Sequence, residues 1–157
     1  MSRWLALFLF LLAAFAVAGI GGVATASSVR EWYPSLAKPP WNPPSWVFGP
    51  AWTLLYTLMS IAAWRVWLRR EEFGSLANQL LGLHGVQLVL NALWSILFFG
   101  LRRPDLALVD IVILLTLLVV MQCRLARLDK PAARLWVPYV AWVAFALSLN
   151  LAIWWLN

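Results

Sequence analysis

Long apolar runs, separated by short clusters of charge, set the pattern of the chain. The first run extends from Trp4 to Ala26 without a charge. A second starts near Pro44 and ends before Arg65, and a third covers about Leu76 to Leu101. A fourth covers about Leu106 to Cys123 and a fifth about Leu135 to Leu156. A helix of about 20 mostly apolar residues crosses a bilayer. The pattern therefore predicts an all-α polytopic membrane protein: one domain over residues 1–157, a bundle of five transmembrane helices at approximately 4–26, 44–64, 76–101, 105–123 and 135–156. Pro104 and Asp105 suit the first turn of the fourth helix. Glu71, Glu72, Gly74 and Ser75 mark the turn between the second and third. Most connections are short, so sequential helices should run antiparallel.

The connection between the first two helices is different. From Glu31 to Trp52 it reads EWYPSLAKPPWNPPSWVFGPAW. Proline fixes φ and removes backbone donors, which excludes a regular helix or a central strand. A flexible linker would be poor in aromatic residues. The segment, with its core at 30–43, reads as a stiff folded loop that leads into a helix.

The first run also has features of a signal peptide, with Arg3 ahead of it and Ala24-Thr25-Ala26 resembling a cleavage site. A signal core is about 7–15 residues, so the length favours a retained span. Ala14, Ala18, Gly22 and Ala26 recur every fourth residue, a small-residue stripe that permits close helix packing.

Composition agrees with the pattern: 64% of residues are hydrophobic, 11% are charged, and mean hydropathy is +0.82. The formal charge of +6 is dispersed between apolar runs, which argues for membrane orientation and against nucleic-acid binding. In a five-span topology Arg3, Arg65, Arg69, Arg70, Arg124, Arg127, Lys130 and Arg134 share one side. Arg30, Lys38, Arg102 and Arg103 share the other. The excess predicts a cytoplasmic N-terminus and an aromatic loop on the far side. One cysteine and one histidine exclude an intrachain disulfide and argue against a zinc site.

Three helices carry faces that suggest a pocket. The third offers His84, Gln87, Asn91, Trp94, Ser95 and Phe98 at steps of three and four. The second offers Phe48, Trp52, Tyr56 and Met59, and the fifth Tyr139, Trp142, Ala146, Leu149 and Asn150, with Pro138 a potential kink. Converging beneath the loop, these faces would form an aromatic box suited to flat apolar ligands. The competing reading is ordinary core, with Gln87 and Asn91 bonding neighbouring helices. Trp4, Trp136, Trp154 and Trp155 lie near span ends, as interfacial anchors do. His84 fits a hydrogen-bonding membrane histidine better than a haem ligand, for want of further axial and pocket support. Asp110 is open to a proton-relay role or to pairing with Arg102, Arg103 or another helix. No hydrolytic triad, phosphate loop or paired carboxylate is evident.

The motifs carry a resemblance. Trp32-Tyr33, Lys38-Pro39-Pro40-Trp41-Asn42-Pro43-Pro44, Val47-Phe48, Trp52 and Leu55-Tyr56 resemble the TspO/MBR family. This family contains the bacterial tryptophan-rich sensory proteins and the mitochondrial translocator protein, or peripheral benzodiazepine receptor. The likeness continues through Gln87-Leu88, Asn91, Trp94 and Phe98-Phe99-Gly100. It resumes at Val137-Pro138-Tyr139, Ala141-Trp142, Ala144-Phe145 and Leu149-Asn150. The resemblance implies a five-helix bundle, commonly a homodimer, that binds protoporphyrin IX or haem-like tetrapyrroles and benzodiazepine-site ligands, with no obligatory cofactor. It places the ligand among Tyr33, Pro43, Phe48, Trp52, Tyr56, Asn91, Trp94, Ser95, Trp142 and Ala146. The family's proposed sterol motif is missing after Tyr139, although Val29, Tyr33 and Lys38 fit its weak pattern in the loop. The end at Asn157, without a basic tail, resembles bacterial members, and the bacterial cell membrane is the expected location.

Three functions follow as expectations: a tetrapyrrole-binding sensor or transporter, a light-dependent porphyrin-degrading enzyme using Trp52 and Trp142, or a small proton-coupled exporter relying on Asp110.

Overall fold

The computed structural model describes residues 2–157. All five expected spans are helices long and apolar enough to cross a membrane. They are α1 (Arg3–Glu31), α2 (Phe48–Leu68), α3 (Arg70–Ser95, prolonged by a π-helical turn at Ile96–Gly100), α4 (Pro104–Leu128) and α5 (Lys130–Leu156). Helices α1, α4 and α5 overshoot the apolar runs. A backbone ladder does not stop at the first charge, and Arg and Lys stems run along the apolar surface while their heads reach water.

Local chemistry fixes the ends. The Ser2 hydroxyl accepts from Leu5 N–H at 3.2 Å and caps α1. At Gly74 the backbone takes φ +45° and ψ −114°, which interrupts α3 after its first turn. The charged Glu71–Ser75 turn expected from the sequence thus contains one helical turn and a glycine break. Pro104 opens α4, where no amide donor is needed. Asp129 caps α5, its Oδ2 accepting from Ala132 N–H at 3.2 Å.

Asp129 also joins three helix ends. Its carboxylate lies 2.6 Å from Arg65 Nε and 3.4 Å from Arg69 Nη1, and Arg69 donates to Leu128 O at 2.7 Å. Burial pushes the Asp129 carboxyl up. Hydrogen bonds from Arg65 and the Ala132 amide, with the charges of Arg65 and Arg69, outweigh it, and the pKa lies below the ordinary carboxylate value.

The helices close into a ring in the order α1, α2, α5, α4, α3, with α2 and α3 also touching across the middle. The core holds Met59, Leu80, Leu118, Met121, Trp136 and Tyr139. Outward faces are apolar, with Phe8, Val23, Val89, Val109 and Ile113 exposed. In water such a belt would be a severe liability, and in a bilayer it is the lipid-facing surface. The chain is an integral membrane protein.

Two details differ from the expectations. Trp136 is not an interfacial anchor. Because α5 begins at Lys130, Trp136 lies almost two turns inside it, 1% exposed, with its indole N–H donating to Leu118 O at 3.3 Å. Trp4, Trp154 and Trp155 are exposed. The small-residue stripe of α1 does not act as one seam. Ala14 is core, Ala18 and Gly22 border a cavity, and Ala26 is exposed. A strict four-residue step drifts around a helix of 3.6 residues per turn. The buried small residues recur instead at Ala14, Gly21 and Ser28.

Candidate functional site

A cavity of about 290 Å³ lies between α1, α2, α3 and α5, beneath the aromatic loop. Nine of the ten residues expected at the site border it: Tyr33, Phe48, Trp52, Tyr56, Asn91, Trp94, Ser95, Trp142 and Ala146. Helical spacing explains the convergence. Phe48, Trp52 and Tyr56 repeat every fourth residue on α2, Asn91, Trp94, Ser95 and Phe98 share a face of α3, and Trp142 and Ala146 are one turn apart on α5. Pro43 does not border the cavity. Its carbonyl accepts from Asn42 Nδ2 at 3.1 Å, so it shapes the loop above.

The walls are aromatic. Phe48 meets Trp142 edge-on at 6.1 Å, and Trp52 lies 5.5 Å from Tyr56. Trp94 stacks on Phe98 at 5.1 Å. The π turn accounts for the last wall. Its amide bonds reach five residues back, as Leu101 N–H does to Ile96 O at 2.8 Å. The one-residue offset turns Phe98 and Phe99 toward Tyr33, at 6.5 and 5.6 Å.

The loop is a tied lid. It comprises two 3₁₀ turns, Tyr33–Ser35 and Ser45–Val47, joined by a proline-rich segment. The Tyr33 hydroxyl donates to Asn42 Oδ1 at 2.8 Å. Burial pushes that hydroxyl above its ordinary pKa, partly offset by the Asn42 bond. Lys38 folds over the Tyr33 ring at 5.0 Å. The Asn157 side chain exchanges two hydrogen bonds with the Ala37 backbone, both 3.0 Å, and ties the lid to the end of α5.

The lower parts of the three faces are core rather than wall. Tyr56 donates to Asn91 Oδ1 at 2.6 Å, Asn91 Nδ2 to the Tyr139 hydroxyl at 2.9 Å, and Tyr139 to Gln87 Oε1 at 2.7 Å. Gln87 Nε2 lies 3.3 Å from His84 Nδ1. The α3 face therefore divides by depth: Gln87 and His84 bond within the core, while Asn91 does so and also borders the cavity. Trp94 Nε1 donates to Asn150 Oδ1 at 3.0 Å, which in turn holds α5 to the start of α4 through Pro104 O at 2.8 Å. Of the residues that border the cavity, Ser45 Oγ, Trp52 Nε1, Ser95 Oγ and Trp142 Nε1 have no hydrogen-bond partner among the described residues.

His84 is 4% exposed, between Phe10 and Trp136, and does not border the cavity. Asp110 is not paired with Arg102 or Arg103. Arg103 pairs with Asp105 at 2.6 Å and Arg102 lies 4.0 Å from Glu31, because both arginines sit in the connection before α4. Asp110 Oδ2 is buried without a partner among the described residues. No group of three His, Cys, Asp or Glu side chains able to hold a metal occurs among those residues. The contribution of α1 was not legible in the sequence. Ala18, Gly21, Gly22, Thr25 and Val29 all border the cavity, but small residues carry no chemical signature of a pocket.

The TspO/MBR family model matches residues 8–156. The tryptophan-rich protein TspO of Chlorobaculum tepidum is 41% identical over 146 residues, 90% of this chain and 89% of its own length. The tryptophan-rich sensory protein of Cereibacter sphaeroides is 41% identical over 148 residues, 92% of this chain and 87% of its own. The translocator protein of Bos taurus is 39% identical over 139 residues, 86% and 82% respectively. With likeness of this extent running through all five helices and the lid, the chain belongs to the TspO/MBR family.

Proposed function

We propose that the protein is a membrane receptor or sensor whose cavity binds a flat, mainly apolar ligand of the tetrapyrrole class, and benzodiazepine-site compounds in the same place. The observation that carries this reading is the cavity itself: Phe48, Trp52, Tyr56, Trp94 and Trp142 present aromatic walls around it. Flat rings gain from offset or edge contacts with such walls, and the few free donors fix orientation. At about 290 Å³ the cavity stands at the small end of ligand sites, which run to about 1,000 Å³. A bicyclic ligand fits within it, and a tetrapyrrole extends through its mouth. Relatives named as sensory and translocator proteins support the receptor class. Titration of the purified protein with protoporphyrin IX, followed by tryptophan quenching, tests the reading. Saturable quenching, displaced by a benzodiazepine-site compound, is expected; linear, non-displaceable quenching refutes it.

A light-dependent porphyrin-degrading activity is the second reading, favoured by the placement of Trp52 and Trp142 at one cavity. Loss of bound porphyrin absorbance under illumination, abolished in Trp142→Phe, distinguishes it. Proton-coupled export has less support, since Asp110 does not border the cavity. We propose a cytoplasmic N-terminus in a bacterial cell membrane, since the end of the bundle with Arg3 carries eight basic residues and the end with Arg30 carries four. A homodimer through the outer face of α3 is proposed from Gly82 and Gly85, which are exposed and leave room for close approach.

A further inference from the structure

The contacts that α1 makes change along its length. In their lower halves α1 and α2 are held together. Trp64 Nε1 donates to Arg3 O at 2.8 Å, Trp4 stacks on Trp64 at 6.0 Å, and Ser60 Oγ reaches Phe10 O at 3.2 Å. The last ring contact is Phe15 with Tyr56, at 6.2 Å. Above that level α1 leans the other way, onto α3 and its π turn. Ser28 Oγ donates to Phe99 O at 2.5 Å, Gly21 lies against Ser95, and Ala24 lies against Gly100. The two helices therefore diverge toward the lid, and the cavity lies in the resulting cleft.

The edges of the cleft are glycines. Gly22 on α1 and Gly49 on α2 border the cavity, yet both are exposed. A Cβ at either would meet no atom within 4 Å. Gly22 is nine residues from the end of α1 at Glu31, about 13 Å down the helix at 1.5 Å per residue, a depth that faces lipid. Its neighbour Val23 is 81% exposed. The alternative entrance, past the lid, requires breaking the Asn157–Ala37 and Tyr33–Asn42 hydrogen bonds. No Lys or Arg borders the cavity, so charged groups of a ligand stay outside. The unbonded donors Ser45 Oγ, Trp52 Nε1, Ser95 Oγ and Trp142 Nε1 favour an acceptor on the part that enters.

We propose that ligand reaches the cavity sideways from the bilayer, through the cleft between α1 and α2, with Gly22 and Gly49 as the two sides of the doorway. The ligand class is then a membrane-dissolved flat molecule whose inserted part is uncharged and carries a hydrogen-bond acceptor. This rests on the ligand-binding reading above.

The test uses the full chain in phosphatidylcholine nanodiscs, with protoporphyrin IX as probe and stopped-flow tryptophan quenching as readout. Gly22→Leu and Gly49→Leu narrow the doorway from opposite sides, and the Cβ of either meets no atom within 4 Å. Each is expected to slow association by about tenfold or more, whatever its effect on Kd. Gly19→Leu, also exposed on α1 but away from the cavity, leaves both rates unchanged. Wild-type rates in both doorway variants overturn the proposal and leave the binding reading intact. A weakened Kd with an unaltered association rate also overturns it, because the glycines are then wall and not doorway. Absence of saturable binding in the wild type refutes the binding reading, and this inference falls with it.

Discussion

Replacing Trp142 with alanine tests the site at its most specific point. Trp142 borders the cavity from α5, met edge-on by Phe48 at 6.1 Å and by the tilted ring of Phe145 at 5.8 Å. A tryptophan buries roughly 150–250 Å². If about half of that faces the ligand, at about 25 cal/mol per Å², the lost burial is about 2–3 kcal/mol where water refills the hole. Ring–ring contact adds about 0.5–1.5 kcal/mol. Where lipid or detergent refills the hole, only the ring term is lost, a factor of about two to twelve. Where both are lost, binding of protoporphyrin IX weakens more than about tenfold. The assay is equilibrium titration by the porphyrin absorbance shift, with thermal unfolding on the same samples. Trp155→Ala is the control, since Trp155 is 80% exposed on the same helix, and it should bind as wild type. A folded Trp142→Ala protein with wild-type affinity refutes the α5 wall of the site. Equal loss in Trp155→Ala shows that the effect is structural, and the site argument fails.

Three further outcomes are expected. Asp129→Asn lowers stability at neutral pH by about 1 kcal/mol, through loss of ion pairs discounted because both arginines are a third exposed, while Asn still caps α5. The folded pKa of Asp129 is depressed, so its contribution is fully present above the ordinary carboxylate value of about 4 and is lost as pH falls through the lower folded value. The gap in thermal unfolding between wild type and variant should be smaller at pH 3 than at pH 7, and an undiminished gap at pH 3 contradicts the linkage. Reporter fusions at Met1 and Asn157 should report opposite sides, the first cytoplasmic, and same-side signals are incompatible with five spans. Cross-linking in native membranes should trap a dimer that Gly82→Leu weakens, whereas a strictly monomeric protein in every lipid tested removes the α3 interface.

The five spans, the stiff loop and the aromatic faces of α2, α3 and α5 were legible in the chain because each depends on local periodicity. Hydrocarbon length sets the run of apolar residues, helical pitch sets which side chains share a face, and proline sets where a helix cannot form. Family motifs added the grouping of Tyr33 with Trp52, Asn91 and Trp142, which no spacing along one helix reveals. Other features required the packed chain. The ring order that places α5 beside α2 follows from pairwise surface fit between elements far apart in sequence. The burial of Trp136 depended on where α5 begins, which the cap at Asp129 decides after the apolar run has already ended. Asp129 itself is one charge among many in the sequence, and it becomes a junction only when Arg65 and Arg69 arrive from another helix. The doorway is likewise invisible in one dimension. Gly22 and Gly49 are ordinary small residues until α1 leans onto α3 and leaves both exposed at the edge of the cavity.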